Sequence, residues 1–121
     1  MLKILTIDDS RMMRQMLLMT LSEAGHDVVQ AGDGVEGLET LEQAGAVDVI
    51  ITDINMPRLD GFGFIQQART LPRHRATPIL VLSTESGDDK KARARAAGAS
   101  GWIVKPFNAE KLLSAVRRVA G

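Results

Sequence analysis

The chain has 121 residues, enough for one domain that buries about two-thirds of its unfolded surface, and its 15 basic and 15 acidic side chains cancel. Overall charge therefore points to no nucleic-acid or membrane partner, and the absence of cysteine excludes disulfides. No apolar run approaches membrane-spanning or signal-peptide character, so the expectation is a soluble, cytoplasmic monomer.

Strand-like and helix-like patterns alternate five times. Lys3–Ile7 reads as a first strand, followed by a helix from near Ser10 to the stop at Gly25. Met13, Leu17 and Leu21 recur at core spacing along that helix, and core filling is the simplest reading of Met12, Met16 and Met19, which widen the face. Asp27–Ala31 is a short strand with polar flanks, suited to a sheet edge. Asp33-Gly34 opens a second helix with Val35, Leu38 and Leu41 inward, and Gly37 inside it costs about 1 kcal/mol relative to alanine, which would loosen it.

Val47, Val49, Ile50 and Ile51 form a β-branched run suited to a central parallel strand covered on both faces. The run ends at Asp53, and turn formers follow through Gly61. A third helix spans Phe62 to Leu71, with Phe64, Ala68 and Leu71 on one side. A basic connector, Pro72 to Thr77, leads to a fourth strand, Ile79–Leu82, that ends at Ser83-Thr84. The fourth helix, Asp88 to Ala97, has only Ala92, Ala94, Ala96 and Ala97 for apolar packing, so it should be weakly held. Gly101–Val104 is a fifth strand. Asn108 caps a last helix whose Ala109, Leu112, Leu113, Val116 and Ala120 make an amphipathic face. Five such units argue a parallel sheet with helices on both faces.

Charge collects where those strands end. Asp8 and Asp9 follow the first strand, Asp53 the third and Lys105 the fifth. In open α/β sheets, ligands sit beyond the carboxyl ends of strands. An isolated strand-end aspartate most often caps a helix or stabilises a turn. Three carboxylates meeting in one crevice repel one another strongly unless a cation neutralises them. All candidate ligands are oxygens, with no His or Cys among them, which suits a hard cation.

D-D-S at Asp8–Ser10, D-I-N-M-P-R-L-D-G at Asp53–Gly61, L-S-T-E at Leu82–Glu85 and K-P-F at Lys105–Phe107 resemble the receiver domain of bacterial response regulators. The likeness runs from Lys3 to Val119 and is closest to single-domain, CheY-like chemotaxis regulators. It implies one receiver domain over 1–121 with no output domain. The implied fold is flavodoxin-like, (βα)5 and doubly wound, with strand order 2-1-3-4-5; that order is known for CheY itself and is carried over from the family.

The resemblance further implies that Asp53 accepts a phosphoryl group from a CheA-like sensor histidine kinase. Mg2+ would be held by Asp9, Asp53 and the Asn55 backbone carbonyl, with Asp8 holding a water ligand. Lys105 and Ser83 would contact the phosphoryl group, and a cis bond would join Lys105 to Pro106. Trp102 stands at an aromatic switch position where chemotaxis regulators commonly carry tyrosine; tryptophan has no phenolic hydroxyl, which leaves ring packing to drive a switch there. Glu85 and Asn55 fall where the family tunes dephosphorylation or contacts partners. The domain would assist its own phosphorylation and dephosphorylation rather than turn over a substrate.

Residues 1–60 hold eleven acids against four bases, and residues 88–121 eight bases against three acids. Lys90, Lys91, Arg93, Arg95 and Lys111 could form a docking face for an acidic output partner such as a flagellar motor switch component. A solvated helix surface explains the same residues. No sequence follows the last helix to read DNA, so no nucleic-acid role is expected. A sink draining phosphate from a shared kinase is the alternative role. A dehalogenase-like phosphatase would want D-x-D on the first strand and a cap insertion. A flavodoxin-like nucleotide binder would want an uncharged phosphate loop where Asp8-Asp9 stands.

Overall fold

The computed structural model describes residues 1–121. The apolar runs pair as β1 (Lys3–Ile7), β2 (Asp27–Ala31), β3 (Val49–Thr52), β4 (Ile79–Ser83) and β5 (Gly101–Val104) in one parallel sheet ordered β2-β1-β3-β4-β5. This is the flavodoxin-like order expected, and β2 lies at an edge. The helices are α1 (Arg11–Glu23), α2 (Gly34–Ala44), α3 (Gly61–Thr70), α4 (Asp88–Ala97) and α5 (Ala109–Ala120).

Side chains alternate across the sheet and divide the core in two. Ile79 and Val81 of β4 point to the face covered by α2, α3 and α4, where Leu41, Phe64, Ile65, Ala68 and Ala94 pack. Leu80 and Leu82 point to the other face, with Leu17 and Leu21 of α1 and Leu112 and Val116 of α5. Burial on both faces is why β3 and β4 read as continuous apolar runs.

Side-chain caps set four helix starts: Ser10 accepts from the Met13 amide, Asp33 from Glu36, Asp60 from Gly63 and Asn108 from Lys111. The fourth helix, α4, starts at Gly87 without such a cap and buries only Ala94, so it is the least anchored, as its alanines imply.

Several expectations need correction. Met12, Met16 and Met19 are exposed rather than core, because α1 buries only the face carrying Leu17 and Leu21 and nothing covers the opposite side. Ala109 and Ala120 are not buried either, leaving Leu112 and Val116 as the buried residues of α5. Gly37 is not a loose point. A Cβ there would lie 2.6 Å from Ile7 Cδ1 and 3.1 Å from Phe64 Cε1, so its absence lets α2 approach the sheet. The basic connector contains a 3₁₀ turn, Pro72–His74, that buries His74. Arg69 ties this turn down, donating to the carbonyls of His74 (2.8 Å), Thr77 (2.7 Å) and Gly98 (2.7 Å).

A Cβ at Gly61 would sit 2.3 Å from the Asp53 carbonyl oxygen, which is backbone and cannot swing aside. Gly61→Ala should therefore destabilise the protein by about 1–3 kcal/mol in urea unfolding, with an unchanged midpoint contradicting this packing. His74 gives a second check. Burial, then the charges of Arg73 and Arg69, lowers its pKa, and its Nε2 has no hydrogen-bond partner. The folded state thus refuses a proton that the unfolded chain accepts below pH about 6.5. Stability from neutral His74 is complete above that pH and is lost as pH falls toward the folded value. Below pH about 6.5 the stability of wild type should therefore fall more steeply with falling pH than that of His74→Gln, by up to about 1.4 kcal/mol per pH unit; equal slopes would exclude His74 as the cause.

Candidate functional site

Register brings the acids together. In the β1–β3 ladder Ile7 is opposite Thr52, and the Asp53 amide donates to the Ile7 carbonyl at 2.9 Å, so Asp8 and Asp53 leave neighbouring strands side by side. Asp8 and Asp53 are buried, while Asp9 is exposed at the rim. One carboxylate oxygen from each lies within 4.8 Å of the others. Lys105, just beyond β5, reaches across. Its Nζ donates to Asp8 Oδ2 at 2.7 Å and to Asp53 Oδ2 at 2.8 Å. The remaining oxygens are held by backbone: Asp8 Oδ1 accepts from Ser10 N at 2.9 Å, and Asp53 Oδ1 from Ile54 N at 2.6 Å.

Three carboxylates against one ammonium leave excess negative charge in a partly dry crevice. Burial raises the Asp8 pKa, and the hydrogen bonds from Lys105 and the Ser10 amide only partly offset it. Burial also works against the Lys105 ammonium, but its hydrogen bonds to Asp53 and Asp8 outweigh that and raise its pKa. The excess charge and the all-oxygen donors fit a hard divalent cation.

The sequence model for the response regulator receiver domain matches residues 4–117. The chain belongs to this family. It is 37% identical over 121 residues to chemotaxis protein CheY1 of Helicobacter pylori, covering 99% of this chain and 98% of that protein. It is 36% identical to the Campylobacter jejuni chemotaxis protein CheY homolog, covering 99% and 93%. The solved structure of Vibrio cholerae chemotaxis protein CheY4 superposes with a TM-score of 0.94 at 47% identity, over 98% of each chain. This is a CheY-like receiver domain, a phosphoacceptor switch of two-component signalling.

Beside the receiver's acidic crevice, the β4–α4 loop is tied down through Glu85. Its carboxylate pairs with Lys90 Nζ at 2.9 Å and accepts from Asn55 Nδ2 at 3.3 Å. These two hydrogen bonds, Lys90 first, lower the Glu85 pKa. Its amide donates to Ser83 Oγ at 3.3 Å, and its carbonyl accepts from the Trp102 indole at 2.9 Å. Ser83 is buried and Thr84 exposed, as strand alternation requires. Trp102 is half-buried against the α2–α4 side of the core, so its ring already leans inward. A small cavity beside it is lined by Ala94, Ala99 and Gly101 among others. The Lys105-Pro106 bond is cis.

The basic residues do not form one uniform face. Lys90 is paired with Glu85, Arg93 lies 4.0 Å over the Phe62 ring, and Arg95 and Lys111 are exposed. Lys91 is half-buried. Sequence reasoning missed Arg14, whose Nη1 donates to the Asp8 carbonyl at 2.6 Å. It also missed Arg58, whose two nitrogens grip Asp33. Arg14 could have been suspected from its place in the first turn of the helix that follows Asp8-Asp9; nothing local announces the pairing of Arg58 with Asp33.

Removing the buried cation should be costly until another replaces it. Lys105→Met should lose about 3 kcal/mol in metal-free buffer, the scale for uncompensating a buried charge. Millimolar Mg2+ should raise the variant's melting temperature more than the wild type's. An equal increment in both would show that Lys105 does not neutralise this cluster.

Proposed function

We propose that this receiver works as a CheY-like chemotaxis response regulator, with Asp53 accepting a phosphoryl group from a CheA-like histidine kinase in an Mg2+-dependent transfer. The observation that carries the proposal is Lys105 Nζ bridging Asp8 and Asp53 at the sheet's carboxyl edge, with Asp9 within reach. The chemotaxis role is supported by the names of the CheY relatives.

Asp9, Asp53 and the Asn55 carbonyl would hold Mg2+, and Asp8 would orient a water ligand. When bound, the ion supplies positive charge to the carboxylates and to the phosphoryl oxygens. An Asp53 carboxylate oxygen attacks phosphorus in line with the kinase's phosphohistidine nitrogen; a P–O bond forms as the P–N bond breaks, and histidine leaves. Lys105 draws the approaching anion in and balances charge on the transferring oxygens. The rim position of Asp9 and exposed Asn55 leaves one side open to a protein donor and, later, to the water that hydrolyses the acyl phosphate. The domain thereby assists both reactions without being an enzyme in the turnover sense.

Phosphate on Asp53 would offer the Ser83 hydroxyl an anionic acceptor to donate to, drawing its oxygen away from the Glu85 amide from which it now accepts at 3.3 Å. Moving Ser83 disturbs the loop that carries Glu85, and with it the Trp102 indole and weakly anchored α4. The exposed basic residues of that side, Arg95 and Lys111, with Lys90, Lys91 and Arg93, would then meet an output protein such as a flagellar motor switch component. A phosphate sink uses the same chemistry without that last step.

Acetyl phosphate alone should label wild type in Mg2+, while Asp53→Asn or chelator abolishes the label. Label that survives either change contradicts the proposal. Beryllofluoride with Mg2+ should alter Trp102 emission beyond the effect of Mg2+ alone, and Ser83→Ala should shrink the change while Mg2+ still binds. Identical emission and iodide accessibility at confirmed saturation would remove Trp102 from the switch.

A further inference from the structure

Between Asp53 and Gly61 the chain makes a turn that a sequence of ordinary residues does not favour. Arg58 has φ of 66°, the sole positive value outside glycine. The Leu59 amide donates to the Pro57 carbonyl at 2.8 Å, closing a three-residue turn around it. A turn of that hand is rare and strained for a residue with a Cβ, and it persists only where surrounding groups hold it.

Those groups belong to the start of α2. Arg58 Nε donates to Asp33 Oδ2 at 2.8 Å and Nη2 to Asp33 Oδ1 at 3.1 Å, a two-pronged grip. Asp33 is buried and also caps α2 through the Glu36 amide at 2.9 Å, so the anchor is fixed to a helix. The loop lies directly on that helix end: Gly34 N donates to the Leu59 carbonyl at 3.2 Å, and a Cβ at Gly34 would be 2.5 Å from that oxygen. At the near end, the Gly61 amide holds the Ile54 carbonyl at 2.8 Å. Asn55 lies between these two fastenings.

We infer that the Asp33–Arg58 pair is a brace that positions the Asn55 carbonyl, so that the cap of α2 sets how tightly this receiver holds Mg2+. The inference rests on the ligand set proposed above, with Arg58 and Asp33 as positioning residues that touch neither ion nor phosphate. Without the pair, Arg58 relaxes to negative φ, and the Met56-Pro57 segment turns Asn55 away.

The sign of the effect separates this from simple charge. Deleting a cation near a cation site should tighten Mg2+ binding; deleting a brace should weaken it. Calorimetric titration with MgCl2 should show affinity falling about tenfold in Arg58→Ala, the low end for losing an outer partner that orients a metal ligand. Asp33→Asn keeps a good helix cap while discharging the pair, and should fall similarly. The double variant should be no weaker than either single one, because both remove one interaction. Arg58→Gly, free to adopt positive φ, should bind more tightly than Arg58→Ala. Variants that melt earlier yet bind Mg2+ like wild type, an Arg58→Ala that binds more tightly, or additive losses would each overturn the brace. A wild type that binds no Mg2+ would instead overturn the proposed ligand set, and the brace with it.

Discussion

The structure depends on how one ammonium group is shared by two buried carboxylates. Asp8 and Asp53 leave adjacent strands, and Lys105 Nζ stands 2.7 and 2.8 Å from them. Without it their repulsion would act in a medium far less screening than water. With it the crevice still holds more negative than positive charge, and Asp9 at the rim adds to the excess. That residual imbalance leaves the site receptive to more positive charge. The open ends of the central strands set where a ligand can approach, and the charges gathered there set which ligand is favoured.

The scaffold divides rigid from yielding parts. The central strands β1, β3 and β4 are buried on both faces and fix Asp8, Asp53 and Ser83. Against them, α4 begins without a side-chain cap and buries a single alanine. Between the two lies Glu85, bonded through its side chain to Asn55 and Lys90 and through its backbone to Ser83 and Trp102. A disturbance at Ser83 therefore has a continuous route of hydrogen bonds to an element with little packing to resist it.

Much of this is legible in the sequence because local chemistry and global fold agree. The β-branched run before Asp53 reads as a buried strand and is one. Asp33 and Asn108 read as helix starts and are caps. The methionines of α1 mislead because Met12, Met16 and Met19 repeat at helical spacing, and periodicity shows that a face exists without showing what covers it. Gly37 misleads because propensity describes an isolated helix, whereas the neighbours Ile7 and Phe64 decide its value. Burial of His74 and the grip of Arg58 on Asp33 depend on residues brought together only by folding.

Of the three clustered acids, the buried one that bonds Lys105 from the end of β3 is the proposed acceptor. Borohydride reduction of the freshly phosphorylated protein turns an aspartyl phosphate into homoserine, and peptide mass spectrometry then locates it. The account predicts homoserine in place of Asp53 and nowhere else. Homoserine in place of Asp8 or Asp9, or none in protein that carries phosphate, would contradict it.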